Sequence, residues 1–307
     1  MSASRPSPFR LWIRVIQGLV TLAVFVFAGR SIARNWAAFQ AAHIALAIRP
    51  GWILASAATV LVTYVMQIES WRWIIAGWRQ KIGFGPAWRA WSLSNLGRYV
   101  PGKIWSVAGL VVLARDAGVD ALPAAASAVA VQAVSLGTAI AVSAATVPHS
   151  MSAPSLVVAG AVALATIGAL IWDRTPRIIG RWTQAAIPLD PLPAASVLAS
   201  SLLTVLTWIS YGAALWMLAH GLLADAQLPM LRAIGAFTLG YLLGLLALFA
   251  PGGVGIRELV LVDLLTPSLG PGGAVAVSLA SRVLLTLMEV ATALLSLPFA
   301  RRRPVAP

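Results

Sequence analysis

The sequence contains no cysteine and only three histidines. The missing thiols exclude disulfide bonds, cysteine-ligated metals and thiol nucleophiles. His43, His149 and His220 lie far apart in the chain and form no recognisable set of metal ligands. We therefore expect neither a metal nor another cofactor.

Charged residues are also scarce. They make up 10% of the 307 residues and hydrophobic residues make up 60%, whereas about 25% of the residues in a soluble domain are charged. So few charged side chains could not cover the surface of a soluble protein of this size, and the apolar runs are long enough to cross a bilayer. The composition predicts an all-α, polytopic membrane protein.

Acidic residues are the rarer of the two charged classes, with 9 Asp and Glu against 22 Lys and Arg. The basic residues are spread between apolar segments and form no single stripe, so we predict no nucleic-acid partner. Because cytoplasmic loops collect Lys and Arg, the basic excess indicates how the chain is oriented in its membrane.

Six segments are long and apolar enough to span a bilayer, since about 20 helical residues cross an apolar core of about 30 Å. They are Leu11–Ala28, Gly51–Ala76, Ala121–Val147, Ser155–Trp172, Ala194–Ala219 and Ala274–Leu297.

The basic residues assign faces to these spans. Stretches rich in Lys and Arg are predicted to lie inside, which puts both termini in the cytoplasm. These stretches are Arg5–Arg14, Arg72–Arg89, Arg115, Arg174–Arg181 and Arg301–Arg303. The loops 148–154 and 221–229 carry no Lys or Arg and are predicted to lie outside. The connection Arg30–Arg49 is an exception, and it is interpreted as a short helix at the membrane surface.

Two apolar regions do not fit simple spans. Ala87–Ala114 must begin and end inside, and Pro101-Gly102 divides it into arms too short to cross, so it is predicted to be a re-entrant hairpin. Leu231–Leu265 must begin and end outside and breaks at Pro251-Gly252-Gly253. For this second region, a hairpin and a full span followed by a half-helix both remain open.

The order of elements is the same in the two halves of the chain. Each half has two spans, a broken segment and a further span, but the halves start on opposite faces. This order predicts one transmembrane domain, residues 1–307, built as an inverted repeat with halves at about 11–147 and 155–298. The alternative is that any even number of helices can be divided in two.

Cations lie close to both breaks. Arg98 and Lys103 flank the first, Arg257 follows the second, and Arg282 lies in the last span. A helix that begins after such a break directs unsatisfied N–H groups into the membrane, where they stabilise an anion. These four cations are predicted to bind a lipid phosphate or headgroup, although Arg and Lys can also extend to an interface.

The three glutamates all occur in apolar segments. Glu258 and Glu289 are predicted to pair with the cations or to exchange protons, and Glu289 can meet Arg282 through a bridging group or pair with a broken segment. Glu69 precedes Arg72 by three residues, which favours a local ion pair. No catalytic set is recognised among the acidic residues.

The second break resembles a known family. Residues Pro251-Gly252-Gly253-Val254-Gly255-Ile256-Arg257-Glu258 are similar to the Pro-Gly-Gly-x-Gly-x-x-Glu signature of the transmembrane, flippase-like part of lysylphosphatidylglycerol synthases. Arg282 matches an arginine in the last helix of that family. The first break is less similar, because Trp105 and Ser106 stand where many members have Gly-Glu. The resemblance implies functional roles for Glu258 and Arg282.

Full-length synthases also carry a soluble aminoacyl-transfer domain, whereas only ten residues follow Leu297 here. The resemblance therefore implies lipid binding or movement without aminoacyl transfer. We expect a bacterial-type inner-membrane protein that is not an enzyme and that moves the headgroup of an anionic phospholipid or a polyprenyl-phosphate-type lipid. The alternatives are a membrane-embedded transferase acting on lipid-linked substrates and an accessory protein that recruits a soluble synthase. A homodimer is also left open.

Overall fold

The computed structural model describes residues 47–99, 104–147, 153–172, 190–247, 253 and 255–299. Within these residues the chain forms eight α-helices, so the predicted all-α class is confirmed. The helices are α1 (Pro50–Gly77), α2 (Phe84–Asn95), α3 (Ile104–Asp116), α4 (Ala121–Thr146), α5 (Ala153–Ile171), α6 (Ala194–Leu222), α7 (Met230–Leu246) and α8 (Ile256–Leu295).

Four of these helices are long and apolar enough to cross a membrane, namely α1, α4, α6 and α8. Many large apolar side chains on them are exposed, including Leu54, Val129, Leu202 and Leu287. Such outward-facing apolar surface is stable in lipid and not in water. The predicted span Ser155–Trp172 corresponds to α5, which is a shorter apolar helix, and the predicted span Leu11–Ala28 lies outside the described residues.

Helices α1 and α6 pack antiparallel along most of their length. The Ser56 hydroxyl donates a hydrogen bond to the Ala214 carbonyl at 2.7 Å. Near the opposite end of the two helices, the Ser70 and Ser200 hydroxyls form a hydrogen bond of 2.8 Å. Ser200 lies 144 residues after Ser56, and Ala214 lies 144 residues after Ser70. Interchanging equivalent positions of the two helices therefore converts the Ser56–Ala214 contact into the Ser70–Ser200 contact. This self-complementary pattern is expected of two equivalent helices that run in opposite directions.

Three contacts lie at one end of the helical bundle, which we name the Trp78 end. The Gln80 side chain donates to Asp120 Oδ2 at 2.9 Å, joining the segment before α2 to the start of α4. The Trp78 indole donates to the Asp190 carbonyl at 2.9 Å, just before α6. Phe299, after α8, packs on Trp88 of α2 with ring centroids 6.3 Å apart. The first broken region thus begins and ends at this end of the bundle.

The opposite end, which we name the Arg49 end, holds the other connections. The Arg49 side chain donates to the Ala224 carbonyl at 2.9 Å, so the start of α1 lies beside the end of α6. Arg232, in the first turn of α7, donates to the hydroxyl of Ser268, which lies in α8. The second broken region therefore also begins and ends at one end of the bundle, opposite to the first.

The first broken region forms the predicted hairpin as far as it is described. Helix α2 continues into a 3₁₀ turn, Leu96–Tyr99, and packs against α3. A Cβ atom at Gly97 would lie 2.8 Å from the backbone nitrogen of Ser106, so glycine allows the two arms to approach near the tip. Pro101, Gly102 and Lys103 lie outside the described residues.

The second broken region is an antiparallel pair formed by α7 and the first part of α8. The backbones approach at glycines, because a Cβ atom at Gly240 would lie 3.4 Å from the Arg257 carbonyl oxygen. Gly253 has φ of +68° and lies against Gly244. The sequence pattern Gly-x-x-x-Gly at residues 240 and 244 is thus a close helix contact. Pro251 and Gly252 lie outside the described residues.

The break predicted between Leu265 and Ala274 is present, but it is much shorter than expected. Helix α8 continues from Ile256 to Leu295, and its two segments meet at a kink at Gly270, where φ is +68°. Gly270 separates the two segments with ψ of 166°, a combination of φ and ψ that is open essentially to glycine alone. Pro271 then occupies the first turn of the second segment, where its missing N–H removes no helical hydrogen bond. The half-helix and the last span are therefore joined without a loop.

Candidate functional site

The tip of the first hairpin binds the last helix through a buried carboxylate. Arg98 Nη1 donates a hydrogen bond to Glu289 Oε1 at 2.8 Å, and the Tyr99 hydroxyl donates to Glu289 Oε2 at 2.5 Å. The Glu289 side chain is only 6% exposed. An isolated carboxylate would be costly at such a position, whereas paired on both oxygens it is stabilised.

A second ion pair lies two helical turns away on α8. Arg282 Nη1 is 3.4 Å from Glu258 Oε1, and the other Glu258 oxygen accepts the Gly255 backbone N–H at 2.7 Å. Glu258 therefore caps the start of α8 and also holds a cation of its later segment. The Arg282 guanidinium carbon lies 5.9 Å from the centre of the Tyr99 ring, which connects the two ion pairs.

The Glu258–Arg282 pair lies away from the two ends of the bundle. Arg282 is twelve residues after Gly270 and thirteen before Leu295, about halfway along the second segment of α8. Glu289 is seven residues further along, and seven helical residues correspond to about 10 Å. Each pair connects a broken region to this segment.

Arg257 differs from the other two described cations of the predicted site. Its side chain is buried, and its guanidinium carbon lies 4.6 Å from the centre of the Phe237 ring on α7. Nη2 has no hydrogen-bond partner among the described residues. A buried guanidinium with an unsatisfied donor is stabilised by an anion that accepts from it.

Arg98 and Arg257 line the same cavity, which has a volume of about 500 Å³. Its polar wall also includes Asn95, Gln132 and Tyr241. The rest of the wall is mainly apolar, and two of its residues, Val129 and Leu246, are 64% and 56% exposed on the outer surface. The cavity thus combines two guanidinium groups with an apolar region that reaches the lipid-facing surface.

The structure brings together most of the predicted site residues that it describes, but in a different arrangement. Arg98 and Arg257 line the cavity, whereas Arg282 is held by Glu258 and is not among the residues that line it. Two arrangements were expected for Glu289, a bridged contact with Arg282 or a pair with a broken segment. The structure has the second, because Glu289 pairs with Arg98 of the first broken region. Glu69 forms the expected local ion pair with Arg72.

Sequence reasoning missed several residues of the site, most of them polar. Tyr99 was visible beside Arg98, and a tyrosine hydroxyl in an apolar segment needs a partner. Asn95 and Gln132 are single uncharged residues in apolar helices, and their position on the cavity depends on how the helices pack. Phe237 carried no signal beyond its hydrophobicity.

Comparison with known proteins identifies a family. A family model described as "Lysylphosphatidylglycerol synthase TM region" matches residues 12–292, which is nearly the whole chain, and so shows the family to which the chain belongs. The resemblance at Pro251–Glu258 is thereby confirmed, and the family and the apolar helices together place the chain in a membrane. A search of curated proteins found no match.

Proposed function

We propose that this chain, which belongs to the lysylphosphatidylglycerol synthase transmembrane family, binds an anionic lipid by its phosphate group and moves the headgroup across the membrane. The amphipathic cavity carries this proposal. Its polar wall presents Arg98 and Arg257, and its apolar wall reaches the surface that faces acyl chains. A lipid needs both environments at once, while a soluble anion needs only the first.

The charge distribution supports a phosphate at Arg257 in particular. Glu289 compensates the charge of Arg98, and Glu258 compensates that of Arg282. Arg257 has an unpartnered nitrogen and no ion pair within the described part of the chain. A phosphate oxygen would accept from Nη2, and the apolar surroundings would strengthen that hydrogen bond.

The arrangement of the two halves supports movement as well as binding. The broken regions begin at opposite ends of the bundle, and both are fastened to the second segment of α8. Transporters built from inverted repeats bind their substrates where interrupted helices meet. Rocking of one half against the other would expose the cavity to each end in turn. We place the protein in the inner membrane of a bacterial-type cell.

Reconstituted vesicles test the proposal. Phosphatidylglycerol with a fluorophore on one acyl chain is incorporated into both leaflets, and a membrane-impermeant reductant then quenches only the probe in the outer leaflet. We expect the wild-type chain to bring the inner-leaflet probe within reach of the reductant. Arg257→Ala should slow this by at least about tenfold, since a hydrogen bond to a charged group contributes about 1.5–3 kcal/mol.

Arg115→Ala is the matched control, because Arg115 is exposed in the last turn of α3, outside the cavity. Both variants are first compared with the wild type by gel filtration in detergent. Equal movement of probe by wild type and Arg257→Ala would contradict the assignment of the site. A covalently altered lipid in the mass spectrum of the extracted vesicles would instead favour a membrane-embedded transferase.

A further inference from the structure

We propose that the cavity accepts lipids whose phosphate carries an uncharged, hydroxyl-bearing headgroup and rejects lipids whose headgroup carries an ammonium group. This specificity rests on the proposed function, because it assumes that a lipid phosphate occupies the cavity. It is carried by where the carboxylates of the chain lie, and by the uncharged polar groups that line the cavity.

No carboxylate lines the cavity among the described residues. The chain has nine acidic residues, and eight of them are described. The five described aspartates are exposed and outside the cavity wall, and four of them lie in or next to the connections between helices; they are Asp116, Asp120, Asp190, Asp225 and Asp263. The segments that the structure leaves out contain one acidic residue, Asp173, which lies in the connection before α6.

The three glutamates are bound to cations of the chain itself. Glu69 pairs with Arg72, which is three residues away on α1. Glu258 uses one oxygen for Arg282 and the other for the Gly255 N–H, and Glu289 uses its two oxygens for Arg98 and Tyr99. An ammonium group entering the cavity would therefore meet the uncompensated charge of Arg257, since Glu289 already pairs with Arg98 and is not among the residues that line the cavity. Like charges brought together in apolar surroundings repel strongly.

Uncharged hydrogen-bonding groups occupy the position where a counter-charge would be needed. Gln132, Ser106 and Tyr241 line the cavity, and so does Asn95, whose buried Nδ2 has no partner among the described residues. The same four residues also line an adjoining space of about 50 Å³, together with serine and threonine hydroxyls. Amide and hydroxyl side chains both donate and accept, which suits headgroup hydroxyls.

Two lipids that share the same phosphate and acyl chains provide the test. The full chain in detergent is titrated with dioctanoyl phosphatidylglycerol and, separately, with its lysyl ester, which adds ammonium groups. We expect phosphatidylglycerol to bind at least about tenfold more tightly, because like-charge contacts oppose the lysyl ester. Equal or tighter binding of the lysyl ester would overturn the inferred specificity and leave the proposed function intact. Binding of neither lipid would overturn the proposed function itself.

A charge substitution in the cavity sharpens the test. Gln132→Glu changes an amide to a carboxylate of nearly the same shape, so it should tighten binding of the lysyl ester and weaken that of phosphatidylglycerol. Gln227→Glu makes the same change at an exposed position in the connection between α6 and α7 and should alter neither. Asn95→Asp serves as a second cavity variant if Gln132→Glu does not fold. An unchanged preference in a folded cavity variant would contradict the assignment.

Discussion

Arg98 and Glu289 are separated by 191 residues, yet their side chains form a 2.8 Å hydrogen-bonded ion pair. The pair joins the tip of the first hairpin to the last helix. Because Glu289 is buried and Arg98 is 28% exposed, neither charge is well hydrated without the other. This contact therefore has consequences for stability as well as for the shape of the cavity.

Removing one partner of this pair should destabilise the protein strongly. For Glu289→Gln we expect a loss of about 3–5 kcal/mol, which is typical when one charge of a buried pair is left alone. The measurement is thermal unfolding in detergent. Glu69→Gln is the control, because its pair with Arg72 is local and about one-third exposed, so the loss should stay below about 1 kcal/mol. If both variants melted at the same temperature, the Arg98–Glu289 pair would not be a stabilising contact.

The Tyr99 hydroxyl contributes separately to the same site. Tyr99→Phe removes its hydrogen bond to Glu289 and keeps the ring beside Arg282, so we expect a loss of about 1.5–3 kcal/mol in unfolding free energy. Tyr64→Phe is the matched control. The Tyr64 hydroxyl is buried without a partner among the described residues, so its removal should be neutral or slightly stabilising. A larger loss for Tyr64→Phe than for Tyr99→Phe would contradict this account.

The elements of this fold could be predicted well from sequence because each depends on local pattern. Apolar runs of sufficient length predicted helices α1, α4 and α6 to within a few residues. Pro101-Gly102 and the basic residues around it predicted a hairpin, and its ends do meet at the Trp78 end. The break at Gly270 falls in the gap predicted between Leu265 and Ala274, but its shortness could not be predicted, because Gly and Pro together usually indicate a loop.

The candidate site could be predicted only in part, because its pairings depend on tertiary packing. Charge in apolar segments was enough to select Arg98, Arg257, Arg282, Glu258 and Glu289. The partners could not be predicted from spacing, since Glu289 pairs with a residue 191 positions away and not with Arg282 on its own helix. The uncharged wall of the cavity was missed for the same reason.

Close approach of the two arms at Gly97 gives a prediction about the first hairpin. In Gly97→Ala the added methyl group would lie 2.8 Å from backbone atoms of Trp105 and Ser106, which cannot move aside without separating the arms. We expect a lower melting temperature and slower lipid movement, because overpacking against backbone costs about 1–3 kcal/mol. Gly168→Ala, on α5 with nothing within 4 Å, should be neutral or more stable. Wild-type behaviour of Gly97→Ala would show that the arms are not in contact there.

Single cysteines can map the two ends of the bundle without background, because the chain has no cysteine of its own. Lys81→Cys and Asp116→Cys place thiols before and after the first hairpin, at exposed positions near the Trp78 end. Asp225→Cys places one at an exposed position near the Arg49 end.

A membrane-impermeant maleimide applied to one side of sealed vesicles should label the first two variants together, and the third only from the other side. This follows because the Gln80–Asp120 contact holds both ends of the first hairpin at one end of the bundle, while Ala224 lies at the other end against Arg49. Labelling of positions 81 and 116 from opposite sides would mean that this region crosses the membrane, and the cavity between the two broken regions could not form as described.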